Sequence, residues 1–102
     1  WCIGKAFDHS GPIGPITPIG QTKDIHNAEI SLLVNGADRQ RSNISKLIWN
    51  VAETIEHLSA AWELKPGDLI FSGTPEGVAA VVSGDTMVGS VTGLPTLTVH
   101  VN

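Results

Sequence analysis

The clearest rhythm lies at the end of the chain, where Leu97, Val99 and Val101 alternate with Thr96, Thr98 and His100. Strict alternation predicts a strand with one buried face, and it turns His100 outward. Thr86 to Val91 predicts a second strand, joined to the first around Gly93-Leu94-Pro95. Further upstream the apolar run Ile30-Ser31-Leu32-Leu33-Val34 meets Asn35-Gly36 and then the polar run Ala37-Asp38-Arg39-Gln40-Arg41. Asn-Gly between two such runs predicts a tight hairpin, because a type I′ turn needs positive φ at both central residues. The polar second strand belongs at a sheet edge. Two shorter apolar segments, Trp1 to Phe7 and Asp68 to Phe71, also read as strands.

A helical period occurs once. Asn50 and Glu53 have the spacing of a reciprocal N-terminal cap, and Val51, Ile55, Leu58 and Trp62 then fall on one stripe. The spacing predicts a helix over 51–62 whose apolar side covers a sheet. Lys65-Pro66-Gly67-Asp68 predicts the turn that stops it. Between Gly11 and Pro18 three prolines and two glycines exclude helix and central strand, while Ile13, Ile16 and Ile19 predict that this loop lies against the core. The fold class expected from these elements is α+β, a strand-dominated mixed, folded sheet with one main covering helix.

Composition narrows the partners. A chain of 102 residues supports one cooperative core. With 41% hydrophobic and 16% charged residues it is globular rather than disordered, and a net charge of −4 argues against nucleic acid. No apolar run is long enough for a membrane span, and no export signal opens the chain. The lone Cys2 cannot form an internal disulfide. A soluble, cytoplasmic protein in a reducing compartment is expected. The chain begins at Trp1 in what reads as mid-strand, so it is expected to be a piece of a longer protein.

Candidate chemistry concentrates in Ser72-Gly73-Thr74-Pro75-Glu76-Gly77, directly after the apolar run ending at Phe71. Glycine permits close backbone approach and positive φ, proline fixes the exit direction, and Thr74 offers a hydroxyl and an amide as donors. That combination suits a small anionic oxygen. Asp8 is read as capping the loop that follows it, and His9, Asp24 and His26 as incidental. His9, His26, His57 and His100 have no metal-binding spacing.

Gly4-Lys5-Ala6-Phe7-Asp8, Leu33-Val34-Asn35-Gly36, Arg39-Gln40, the capped helix, Lys65-Pro66-Gly67-Asp68-Leu69-Ile70 and Ser72-Gly73-Thr74-Pro75-Glu76-Gly77-Val78, in that order, resemble the C-terminal half of the fumarylacetoacetate hydrolase family. The resemblance covers Trp1 to about Val101. Residues 33–36, 39–41 and 47–49 are most similar to members that hydrolyse fumarylpyruvate in gentisate degradation.

The resemblance implies that residues 1–102 are the C-terminal part of a single catalytic domain of that family. It implies metal-dependent hydrolysis of a C–C bond in a 2,4-diketo acid, fumarylpyruvate to fumarate and pyruvate, by the full-length protein. Mg²⁺ or Mn²⁺ is implied as cofactor, with ligands upstream of Trp1 and none in this chain. Lys5 carries over as the catalytic cation beside the metal, and Lys5, Thr74, Gly73 and Pro75 as substrate-binding residues. A homodimer acting on a small 2,4-diketo or 2-oxo acid is expected. Family members that are acylpyruvate hydrolases, oxaloacetate decarboxylases, hydratases or tautomerases are the alternatives, as is a non-catalytic fragment that contributes an assembly interface.

Overall fold

Four segments of alternating or apolar sequence close into one sheet in the computed structural model, which describes residues 1–102. The strands are β1 (Glu29–Val34), β2 (Ala37–Asn43), β3 (Thr86–Val91) and β4 (Leu97–His100), in the order β2-β1-β3-β4. The α+β class holds, and the sheet, expected to be mixed, is antiparallel at each pairing. The polar strand β2 lies at an edge, as its composition requires. Asn35 and Gly36 take φ of 50° and 81°, the left-handed pair that the hairpin turn demands.

Asn35 also ties the two sequence-distant halves of the sheet together. Its side-chain amide donates to the Asp85 carboxylate at 2.8 Å, and its side-chain oxygen accepts from the Thr86 amide at 2.9 Å. The Thr86 carbonyl in turn accepts from the Asn35 backbone amide at 2.9 Å. One turn residue therefore fixes where β3 begins beside β1. The second Asp85 oxygen accepts from the Val82 amide at 2.9 Å.

Directly paired residues share a face of an antiparallel sheet. One face thus carries Ile30, Leu32 and Val34 from β1, Met87, Gly89 and Val91 from β3, and Leu97 and Val99 from β4. The other carries Glu29, Asp38 and Arg41, where Arg41 pairs with both carboxylates, and His100, whose Nδ1 lies 3.0 Å from the Thr86 hydroxyl. His100 is exposed, as the alternation predicts.

The helix α2 (Val51–Ala61) forms as expected, with Asn50 and Glu53 exchanging side-chain-to-amide bonds at 2.9 and 2.8 Å. Lys65 to Asp68 makes the expected turn, with Gly67 at φ 97°. The covering role is not met within this chain: Val51, Ile55 and Trp62 are 50%, 43% and 65% exposed. Capping and periodicity are local and sufficient to form a helix, whereas what the stripe packs on is a tertiary matter. Ile13, Ile16 and Ile19 are likewise exposed rather than laid on the core. It is the loop backbone that approaches the fold, at Gly11 against the Phe71 ring and at Gly14 against Leu97.

Three further expectations are corrected. Trp1 to Phe7 is not a strand but contains a single helical turn, α1 (Cys2–Lys5), with every residue exposed. Asp68 to Phe71 carries no ladder. A strand exists only where a neighbour supplies its hydrogen bonds, and neither segment has one here. The turn after Phe7 is held by Ser10, whose hydroxyl accepts from the Phe7 amide at 3.3 Å, and not by Asp8.

Only Ala28 and Val34 are buried, and the accessible surface is 8147 Å². A self-contained monomer of this length would expose roughly 5,500 Å². The radius of gyration, 14.7 Å, likewise exceeds the roughly 12.8 Å of a compact domain. The chain therefore leaves many large apolar side chains open to solvent.

The Asp85 carboxyl is held below the ordinary carboxylate value, first by the Val82 amide, then by the Asn35 side chain, with a smaller contribution from the Arg39 charge. A lowered folded-state value means that this stabilisation is present above about pH 4 and is lost as pH falls through the folded-state value. In the intact protein, the difference in Tm between the parent and Asp85→Asn should be full at neutral pH and close in the acid limb. A gap that stays constant down that limb would contradict this role.

Candidate active site

Strand β2 is irregular in one place, and the site depends on it. Leu32 pairs with Gln40 and Leu33 with Asp38, so Arg39 is the extra residue of a bulge. In unbroken alternation Gln40 would share the charged face with Asp38. The bulge turns it instead onto the apolar face, beside Leu32.

There the Gln40 amide meets the Thr74 loop. Its Nε2 lies 2.9 Å from the Thr74 hydroxyl oxygen, 2.8 Å from the Pro75 carbonyl oxygen and 3.4 Å from that of Glu76. One side chain thus holds three consecutive residues of the loop. Gly77 completes the contact, with φ 99° and its α-carbon packed so closely on the Arg39 carbonyl that a β-carbon would overlap the oxygen. A glycine is required here for both reasons.

The apolar face has a gap beside this anchor. Gly89 sits between Leu32 and Leu97 across the sheet, and a β-carbon on it would meet nothing closer than 3.9 Å. The result is a cleft of about 310 Å³. Its walls are Ile30, Leu32, Val91, Leu94, Pro95 and Leu97, with Gln40, Thr74 and Pro75 at one end. No ionisable side chain lines it. On its own residues the cleft can seat an apolar stem and orient an oxygen through hydrogen bonds, and it cannot neutralise a charge.

The sequence candidates are placed unequally. Thr74 and Pro75 line the cleft together, while Gly73 borders open space. Lys5 ends α1, exposed and outside the cleft lining. His57 stacks on Trp49 with ring centroids 4.2 Å apart, a packing contact. No three His, Cys, Asp or Glu side chains gather as a metal site, so these residues do not fit a divalent ion by themselves. Gln40 carries no predicted role in the sequence beyond its place in the Arg39-Gln40 motif. Its signal was a glutamine in an edge strand whose polar run breaks alternation, and the bulge that gives it meaning has no mark in one sequence.

Comparison with known proteins follows the same order of elements. The profile described as "Fumarylacetoacetate (FAA) hydrolase C-terminal" matches residues 1–102. A fumarylpyruvate hydrolase from Ralstonia sp. is 45% identical over 99% of this chain and 52% of its own length. A mitochondrial oxaloacetate decarboxylase from Dictyostelium discoideum is 35% identical over 94% of this chain and 44% of its own. Among solved structures, fumarylpyruvate hydrolase from Pseudomonas aeruginosa, in complex with Mn²⁺ and pyruvate, superposes with a TM-score of 0.95 at 57% identity, covering 99% of this chain and 43% of that one. The chain spans about half the length of the curated relatives it matches. With the sheet, the capped helix and the Thr74 loop all in that company, the chain belongs to the fumarylacetoacetate hydrolase family.

Proposed function

We propose that the intact protein, of which residues 1–102 are the C-terminal part of one catalytic domain, hydrolyses fumarylpyruvate to fumarate and pyruvate, as in gentisate degradation. One observation carries the reading: the Thr74 loop and its cleft stand in a frame that is 57% identical to a fumarylpyruvate hydrolase holding pyruvate. In this reaction water adds to the keto carbon of the fumaryl end, and the bond from that carbon to the methylene breaks. The electron pair passes to the pyruvate half as an enolate, which takes up a proton. Within this chain, Lys5 would place a positive charge beside the developing enolate, and Thr74 would donate to a carboxylate oxygen, with Gly73 and Pro75 shaping the loop around it.

A divalent ion, Mn²⁺ or Mg²⁺, acts as a Lewis acid in such chemistry, and its ligands would come from outside these residues. The open apolar surface supports assembly as a homodimer once the rest of the chain is in place. A second reading, action on oxaloacetate, is favoured by the 35% identity to a decarboxylase of that acid. Offering both substrates to the intact protein decides between them.

Loss of the diketo-acid absorbance should follow addition of the intact protein, stop after exhaustive treatment with EDTA, and return with Mn²⁺ or Mg²⁺. Turnover that survives chelation, or turnover of oxaloacetate alone, would overturn the reading. Lys5→Met should lower kcat with KM little changed, by roughly a hundredfold to a thousandfold, the loss of about 2.7 to 4 kcal/mol typical of a charge needed only in the transition state. Thr74→Val should instead raise KM, because its partner is charged before and after the step. If Lys5→Met keeps kcat within about twofold, well below the range for a lost transition-state contact, Lys5 is a scaffold residue.

A further inference from the structure

A glutamine that a bulge has turned onto an apolar face has to satisfy its amide there, and the atoms that do so determine its orientation. The Pro75 and Glu76 carbonyl oxygens can only accept, so the Gln40 NH₂ end has to face them. A flipped amide would set its oxygen against both carbonyls. With the NH₂ end fixed, its two protons go to the near acceptors, Thr74 Oγ1 and the Pro75 oxygen. The Thr74 hydroxyl is therefore an acceptor toward Gln40. Its own proton has no other partner within the chain and is free to be donated.

We propose that Gln40 is a positioning residue that fixes the Thr74 hydroxyl as a hydrogen-bond donor for the carboxylate oxygen of a 2-oxo acid. This rests on the reading that Thr74 meets that carboxylate. A threonine hydroxyl unconstrained on a loop can donate or accept, and rotates to suit its ligand. Gln40 removes the choice by occupying its acceptor side, and the same amide holds the Pro75 and Glu76 backbone in place while it does so. The device is selective: it favours an oxygen with lone pairs and no proton, and disfavours a ligand that offers an N–H or O–H at that point. It also explains why the glutamine sits on the apolar face, where the competing pairs of the charged face cannot reach it.

The test uses the intact protein with Mn²⁺, reading pyruvate affinity by calorimetry alongside kcat and KM for the diketo acid. Gln40→Leu removes the donor, and Gln40→Glu keeps the size but can only accept when ionised, so it draws the Thr74 proton toward itself. Gln40→Leu should weaken pyruvate binding and raise KM roughly ten- to hundredfold, with kcat within about threefold. Gln40→Glu should be worse than Gln40→Leu although it is nearer in shape. In a double-mutant cycle, Gln40→Leu with Thr74→Val should lose no more than about the larger single loss, since both act through one hydroxyl.

Losses that multiply in the double variant would show Gln40 to be a general support of the fold, and overturn the proposal. So would a Gln40→Glu protein that binds pyruvate like the parent. If Gln40→Leu does not fold, the near-isosteric Gln40→Glu and its combination with Thr74→Val give the same cycle. A parent that binds pyruvate but does not hydrolyse fumarylpyruvate defeats the function reading alone, because the relative affinities still decide Gln40. A parent without affinity for pyruvate defeats this proposal as well.

Discussion

The contact on which the candidate site depends is the seating of residues 74–77 on the bulged edge strand. Two groups make it: the Gln40 amide, which binds Thr74, Pro75 and Glu76, and the bare α-carbon of Gly77, which fits against the Arg39 carbonyl. Remove the bulge and Gln40 returns to the charged face; add a β-carbon at residue 77 and the loop has to lift. Both constraints come from β2, whose register is set in turn by the Asn35-Gly36 hairpin. The position of the Thr74 loop is thus traceable to a turn far earlier in the chain.

The sheet that carries this contact holds itself together chiefly through backbone pairing and the Asn35 bonds to Asp85 and Thr86. Hydrophobic burial contributes less here than in a free-standing domain, since only two residues are buried and large apolar side chains such as Trp1, Ile3, Ile48 and Trp62 lie open. The cleft carries no charge: its own residues can orient a ligand, and any neutralising group would lie outside its lining.

What the sequence made legible was the local part. The Asn35-Gly36 turn, the Asn50–Glu53 cap, the Lys65–Asp68 turn and the alternation of Thr96 to Val101 each owe their structure to neighbours within a few residues, and each is found where it was expected. Trp1 to Phe7 and Asp68 to Phe71 are not strands because pairing depends on a partner, and no partner for them is within the chain. The stripe of α2 is apolar as its period predicts, but what it packs on depends on tertiary partners and is not set by the local sequence. In the site, Thr74 stood out by its setting between glycine and proline. Gln40 did not, because its importance comes from one extra residue in a strand register that a single sequence does not display.

The central claim is that the edge strand sets the position of the Thr74 loop, and Gly77→Ala in the intact protein tests it most directly. The α-carbon has no room for a methyl group against a backbone oxygen, and its φ of 99° is costly for alanine. Pyruvate affinity should fall by about tenfold or more, an energy of about 1.4 kcal/mol that the strained loop readily exceeds, while the fold persists. A Gly77→Ala protein that binds pyruvate as tightly as the parent would contradict the account.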